Sequence, residues 1–276
     1  MRRREFLGMA AAVPVLGAVR VRKTGEVEMP FKSPGPRPNG LQATPAGLWV
    51  LDAGNNKAYL VAWENGKILR ALDTESNVGS GITEGPDGLW IAVTPNRVIL
   101  CVDPLTGKTR HANYTPGAGV SYRMPNDPPP RRSPLETQPA PARAPQTDQF
   151  PGTARIGNVD RTLGTGANGL EWRDGKIWMA VPPARQIFCL DEKTWTVERK
   201  LETAGNRAHG LGWEGNFLWN SDPNLNGFFK HDIASGRIVE RIQLDQKDPL
   251  PHGMTIWQGW LWYCDEVGVI CRLKLG

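Results

Sequence analysis

The chain has 276 residues, 39% of them hydrophobic and 22% charged, with 31 Gly, 24 Pro and 11 Trp. That much apolar material builds a sizeable core in one or two domains and excludes a chain disordered throughout. The formal charge of +5 falls to +3 once the +2 of residues 1–18 is set aside, too thin for nucleic-acid binding, and no later run of 18 apolar residues is present to span a membrane as a helix.

Residues 1–18 read as an export signal, with a basic start (Met1-Arg2-Arg3-Arg4) followed by a short apolar stretch broken by Gly8 and Pro14. Arg3-Arg4-Glu5-Phe6-Leu7 matches the twin-arginine pattern, an address read by a receptor. Leu16-Gly17-Ala18 and Ala10-Ala11-Ala12 both offer small-residue cleavage sites. The expected location is periplasmic or extracellular.

Beyond the signal an internal repeat dominates the chain. NGLQATPAGLWVLD, SGITEGPDGLWIAV, NGLEWRDGKIWMAV, HGLGWEGNFLWNSD and HGMTIWQGWLWYCD begin at Asn39, Ser80, Asn168, His209 and His252. In each, a polar residue precedes Gly and then Leu, Ile or Met, and a Trp (Trp49, Trp90, Trp178, Trp219, Trp262) lies nine residues beyond that Gly. Gly-containing turns, a third strand (AYLVAW, VILCVD, QIFCLD, GFFKHD) and a fourth, alternating strand complete each unit. Four antiparallel strands per roughly 40 residues, without a helical period, predict an all-β fold, a closed β-propeller. The five Trp are expected in the core, and Trp213, Trp257 and Trp260 in blade-to-blade packing rather than on a sugar platform.

The last repeat holds only three strands, so residues 23–32 (KTGEVEMPFK) are expected to supply the fourth and close the ring. The glycines are 41, 88, 41 and 43 residues apart, and the long gap could hide a sixth blade. Nine prolines between residues 125 and 151 favour five blades, because Pro removes donors a central strand needs. The domain is therefore expected to run over residues 19–276, with a Pro-rich insertion at about 117–163. That insertion leaves the outer edge of the second blade on the face of the polar ring. Residues 117–127 are its lid candidate, bringing Tyr122 and Arg123 to a ligand, and residues 128–149 are expected to be disordered. Of the four cysteines, Cys101 and Cys189 are equivalent core positions, too far apart to bridge, whereas Cys264 and Cys271 share a hairpin and could approach each other.

The unit Ser-Gly-Ile-Thr-Glu-Gly-Pro-Asp-Gly-Leu-Trp at residues 80–90 resembles the repeat of virginiamycin B lyase, and the chain from about Asn39 resembles the wider superfamily that includes the regucalcin and gluconolactonase group. The resemblance implies a propeller with its site at the mouth of the central channel, a divalent metal held by carboxylate, Asn or His side chains, and cleavage of esters or lactones in some members and binding alone in others. The Glu-x-His pair of the lyase has no counterpart here.

The residues point to the same mouth. In a propeller the innermost strands line the channel, so Asn39, Ser80, Asn168, His209 and His252 form a polar ring at one opening. Three residues after each Trp come Asp52, Val93, Val181, Asp222 and Asp265. Two imidazoles, two amides and up to three carboxylates suit a Mg²⁺, Ca²⁺ or Mn²⁺ site at Asp52, Asp222 and Asp265, with His209 or His252 for acid/base work and Asn39, Ser80 and Asn168 on the ligand. Singly, such residues more often satisfy turns; five of five polar is harder to explain that way. Gly164-Thr165-Gly166-Ala167-Asn168-Gly169 fits a dinucleotide fingerprint but opens a strand rather than a helix, so no nucleotide cofactor is expected. Neither a Gly-x-Ser-x-Gly elbow nor a His-Glu-x-x-His helix is present. The expected function is an exported monomeric enzyme that opens or eliminates an ester, lactone or sugar-derived bond; the alternative is a propeller that only binds a small ligand or a protein at the same mouth.

Overall fold

Each Trp-bearing segment forms the second strand of an antiparallel blade (Gly47–Asp52, Gly88–Val93, Lys176–Val181, Phe217–Asp222, Trp260–Asp265). A computed structural model describes residues 19–137, 153–156 and 159–276; the proposed export signal lies outside the described residues. The first two of these strands are buried at every position, because each blade is sandwiched between two others. This explains why those two strands read as near-continuous apolar runs, while outer strands such as Ile238–Gln243 mix apolar with polar residues.

Blades 1 to 4 occupy residues 38–73, 79–114, 170–202 and 211–243, and blade 5 combines the last three strands with Glu28–Lys32. Glu28–Lys32 pairs antiparallel with Val269–Lys274, so the ring closes as the three-strand final repeat requires. An unanticipated strand, Arg20–Lys23, runs parallel to the outer strand of blade 4, with Arg22 Nε 3.2 Å from Glu240. The 88-residue gap holds no sixth blade among the described residues. It holds a three-stranded sheet in which Val159–Thr165 lies between Gly119–Arg123 and Thr153–Ile156. The one helical element described is a 3-10 turn, Pro182–Ala184.

The core lies in the seams between blades. Trp49 packs with Ile82 and Leu89, Trp90 with Leu170 and Phe188, Trp178 with Leu211 and Leu218, Trp219 with Met254 and Tyr263, and Trp262 with Leu48 and Val50. Every repeat Trp thus fills the seam with the next blade, at 0 to 6% exposure. At the closing seam Trp63 of blade 1 stacks parallel on Trp257 of blade 5, ring centroids 5.6 Å apart. Cys264 pairs with Ile270, and Cys271 with Tyr263. This register puts the two thiols on opposite faces of the sheet, in different seams, so they stay free.

The repeat glycines set the diameter of the channel. A Cβ on Gly81, Gly169 or Gly253 would overlap the carbonyl of Asn168, His209 or Asn39, and one on Gly40 would meet the Ser80 carbonyl at 2.7 Å. With only five blades the innermost strands come so close that backbone packs on backbone. No water-sized space is left between these glycines and Leu41, Ile82, Leu170, Leu211 and Met254. The channel is therefore plugged, and its mouth becomes a bowl.

Candidate functional site at the channel mouth

The bowl is a cavity of about 540 Å³ whose wall includes Asn39, Ser80, Asn168 and His209. Asn39 Nδ2 donates to Ser80 Oγ at 3.4 Å, and Ser80 Oγ lies 3.4 Å from His209 Nε2. Asn168 Nδ2 donates to the Ala208 carbonyl at 3.3 Å, while Thr94 lies at hydrogen-bond distance on its other side. Four of the five ring positions thus reach the cavity. The fifth, His252, is fully buried behind them, edge-on to His209 with ring centroids 5.0 Å apart.

Arg207, which lines the cavity, has its Nη2 3.1 Å from His252 Nε2. A guanidinium can only donate, so Nε2 accepts and the imidazole proton sits on Nδ1, which has no partner among the described residues. Burial, then Arg207, pushes the His209 pKa down to about 3; burial, then Arg207, His209 and Arg37, drives His252 well below its usual value. Both rings are neutral at pH 7.

Ser121, from the expected lid segment, lines the cavity, and so do Arg37, Arg207, Asn206, Asn224, Glu266, Thr94 and Thr165, which were not anticipated. Two of them carry a signal in the repeat: Arg37 and Arg207 each stand two residues before the ring residue. Thr94 and Glu266 share the position four residues after the Trp. Extending the aligned unit by two residues at its start and by one past the Asp position would have found all four.

The three carboxylates expected to hold a divalent ion are instead committed to the backbone. Asp52 accepts from the Arg37, Gly54 and Asn55 N–H groups at 2.7 to 2.9 Å. Asp222 accepts from Arg207, Asn224 and Leu225 at 3.0 to 3.1 Å. Asp265 accepts from the Leu250 N–H and the Ser133 hydroxyl, both at 2.6 Å. In all three blades the Asp ties the loop after its strand to the residue two before the ring. Among the described residues no three His, Cys, Asp or Glu side chains come together to hold a metal ion, so the residues present do not fit the expected cation.

The insertion crosses the mouth further along its length than expected. Within Gly119–Arg123, Ser121 faces the cavity while Tyr122 is 47% exposed; neither Tyr122 nor Arg123 lines the bowl. Beyond the strand, Asp127 is held by Arg185 through both carboxylate oxygens, and Arg185 also donates to the Tyr122 carbonyl. Residues 128–137, expected to be disordered, continue across the face. Pro130 lines the cavity and Ser133, 7% exposed, is buried against Asp265. The rest of that stretch lies outside the described residues.

No family model and no curated protein matches the chain. Among solved structures, the glutaminyl cyclase of Myxococcus xanthus superposes with a TM-score of 0.61 at 7% identity, over 93% of this chain and 97% of that one. Virginiamycin B lyase from Staphylococcus aureus aligns with a TM-score of 0.46 at 18% identity, over 87% of this chain and 66% of that one. A catalytically inactive histidine-to-alanine form of that lyase, with quinupristin, gives 0.45 at 17% identity over the same shares. The chain is a five-bladed β-propeller, similar in fold to the Myxococcus cyclase.

Proposed function

We propose that the chain is an exported propeller enzyme that opens or eliminates an ester, lactone or sugar-derived bond of a small molecule bound in the mouth. The observation that carries this reading is His209: a neutral imidazole, 4% exposed, on the wall of a cavity of about 540 Å³, with Nε2 beside the Ser80 hydroxyl. A bound substrate would displace water from the bowl, leaving the imidazole to take a proton from a carbon next to a carbonyl, or from an attacking water. The Asn39 and Asn168 amides are held by long hydrogen bonds of 3.3 to 3.4 Å, which a developing oxyanion can replace. No step of this reading runs through a metal. A glutaminyl cyclase of this fold supports a catalytic use of the scaffold.

A second reading, a binding protein without catalysis, is favoured by the low basicity of His209, whose pKa is pushed down to about 3. Assay of residues 19–276 on aldonolactones and on neutral and acid-bearing aryl esters separates the two. His209→Asn should lower kcat by about 100-fold or more while the melting temperature holds. Unchanged turnover would overturn the role of His209, and ligand binding without any turnover would establish the second reading.

Export is tested separately. Replacing Arg3 and Arg4 by Lys should leave the precursor in the cytoplasm, because the receptor reads a pair of guanidinium groups. Unaltered delivery of that variant would exclude the twin-arginine route.

A further inference from the structure

The charges around the mouth do not balance. Two guanidinium groups, Arg37 and Arg207, line the cavity together with one carboxylate, Glu266. Glu266 lies 4.0 Å from Arg37 and 3.9 Å from His252, and no carboxylate of the described residues lies within ion-pair distance of Arg207. The other acids nearby are engaged: Asp52, Asp222 and Asp265 by backbone N–H groups, Asp127 by Arg185. His252, the one side-chain hydrogen-bond partner of the Arg207 guanidinium among the described residues, is neutral and cannot supply a counter-charge.

A half-buried guanidinium without an anion is costly, because desolvation is not repaid by a partner. Burial pulls Arg207 below its ordinary pKa, against the pull of Glu266 and Asp222. A second unmet group lies beside it. Asn224 is 8% exposed and lines the cavity; its Nδ2 donates to Asn206 Oδ1 at 3.0 Å, while its Oδ1 has no partner among the described residues. An open acceptor next to an open cation asks for a ligand that carries both an anion and a donor, such as a hydroxyl.

We infer that the mouth takes a hydroxylated small molecule bearing a carboxylate, with the carboxylate on the Arg207 guanidinium and a hydroxyl donating to Asn224 Oδ1. This rests on the mouth being the functional site and names the substrate class it admits. A carboxylate is favoured over a phosphate by the arithmetic of the bowl, where two cations and one anion leave room for a single negative charge.

The test uses D-gluconate, its neutral counterpart D-glucitol, formate, acetate and inorganic phosphate as probes of residues 19–276. Gluconate should raise the melting temperature and shift the ring resonances of His209, and glucitol should do neither. Formate and acetate are small enough to reach Arg207 whatever the shape of the natural ligand, and should shift the same resonances. Arg207→Gln should weaken gluconate by about tenfold or more, and Arg37→Gln by much less. If Arg207→Gln fails to fold, the contrast between gluconate and glucitol on the unaltered protein still decides. Equal binding of glucitol, tighter binding of phosphate, or no response to any carboxylate overturns the inference. Carboxylate binding without ester turnover would sink the proposed reaction and keep this inference; equal turnover of acid-bearing and neutral esters would do the reverse.

Discussion

Three residues beyond each member of the mouth ring, on the innermost strands, stand Gln42, Thr83, Glu171, Gly212 and Thr255. Thr83 donates to Gln42 at 2.5 Å and Thr255 to Glu171 at 3.4 Å, and Glu171 is 4% exposed. Burial pushes its carboxyl up to about 8, against the hydrogen bonds from Gln42 and Thr255. In the unfolded chain the same group titrates near 4.5, so between those values the folded state binds the extra proton and stability falls as pH rises. Glu171→Gln removes that proton exchange and keeps a neutral polar group in place. Urea unfolding at pH 5 and pH 8 should therefore show the unaltered protein losing stability relative to the variant, by up to a few kcal/mol. Parallel changes in the two proteins would mean that Glu171 stays ionised when folded. Four of the five residues expected at the mouth reach the cavity, legible because each adjoins a repeat glycine; the burial of the fifth, His252, was not. The role of the Asp residues was not: their position after the Trp strand fits a metal ligand as well as a loop tie, and only the N–H groups of Arg37, Arg207 and Leu250 decide between them.

At the scale of the element, the innermost strand of each blade is specified by one glycine. Its φ is not the reason at Gly169, where the constraint is the neighbouring blade: a Cβ would overlap the His209 carbonyl and its backbone. Neither partner is a flexible side chain, so relief requires two strands to part. Gly169→Ala should cost several times the 1 to 3 kcal/mol typical of about one added methyl group in a core, or abolish folding, whereas Gly119→Ala, with nothing within 4 Å, should be neutral. Chemical denaturation midpoints of the two variants check this, and equal midpoints would show that the blades can move apart. The strand pattern was readable because burial on both faces leaves a continuous apolar run. The course of the insertion was not, since proline-rich sequence looks alike whether it is loose or strapped. Residues 128–137 are fastened by Ser133 on Asp265 and by Arg131 on Gln246, long-range contacts with no local signature.

The whole molecule depends on its N-terminal segment twice. Glu28–Lys32 completes blade 5, with Arg272 held by Glu28 at 2.6 to 2.7 Å, and Arg20–Lys23 extends blade 4. Closure was legible because a repeat protein with one strand missing at its end must find it elsewhere; the parallel strand was not, because its alternation is too short to mark a partner. The two segments should contribute unequally. Removing residues 19–26 takes away an added edge strand with exposed side chains and should lower the melting temperature slightly. Removing residues 19–34 also strips the strand that covers Val269–Lys274 and takes Phe31 from its packing on Trp262, with ring centroids 6.1 Å apart. That opens the seam between blades 5 and 1, and because each blade is stable only between its neighbours, the loss should spread around the ring as one cooperative transition. Melting curves followed by near-UV circular dichroism of the many Trp residues would report it. A large fall for the longer deletion and a small one for the shorter supports closure by Glu28–Lys32; equal and small falls would mean that the ring is held by its seams alone, with the Trp63 and Trp257 stack enough to close it.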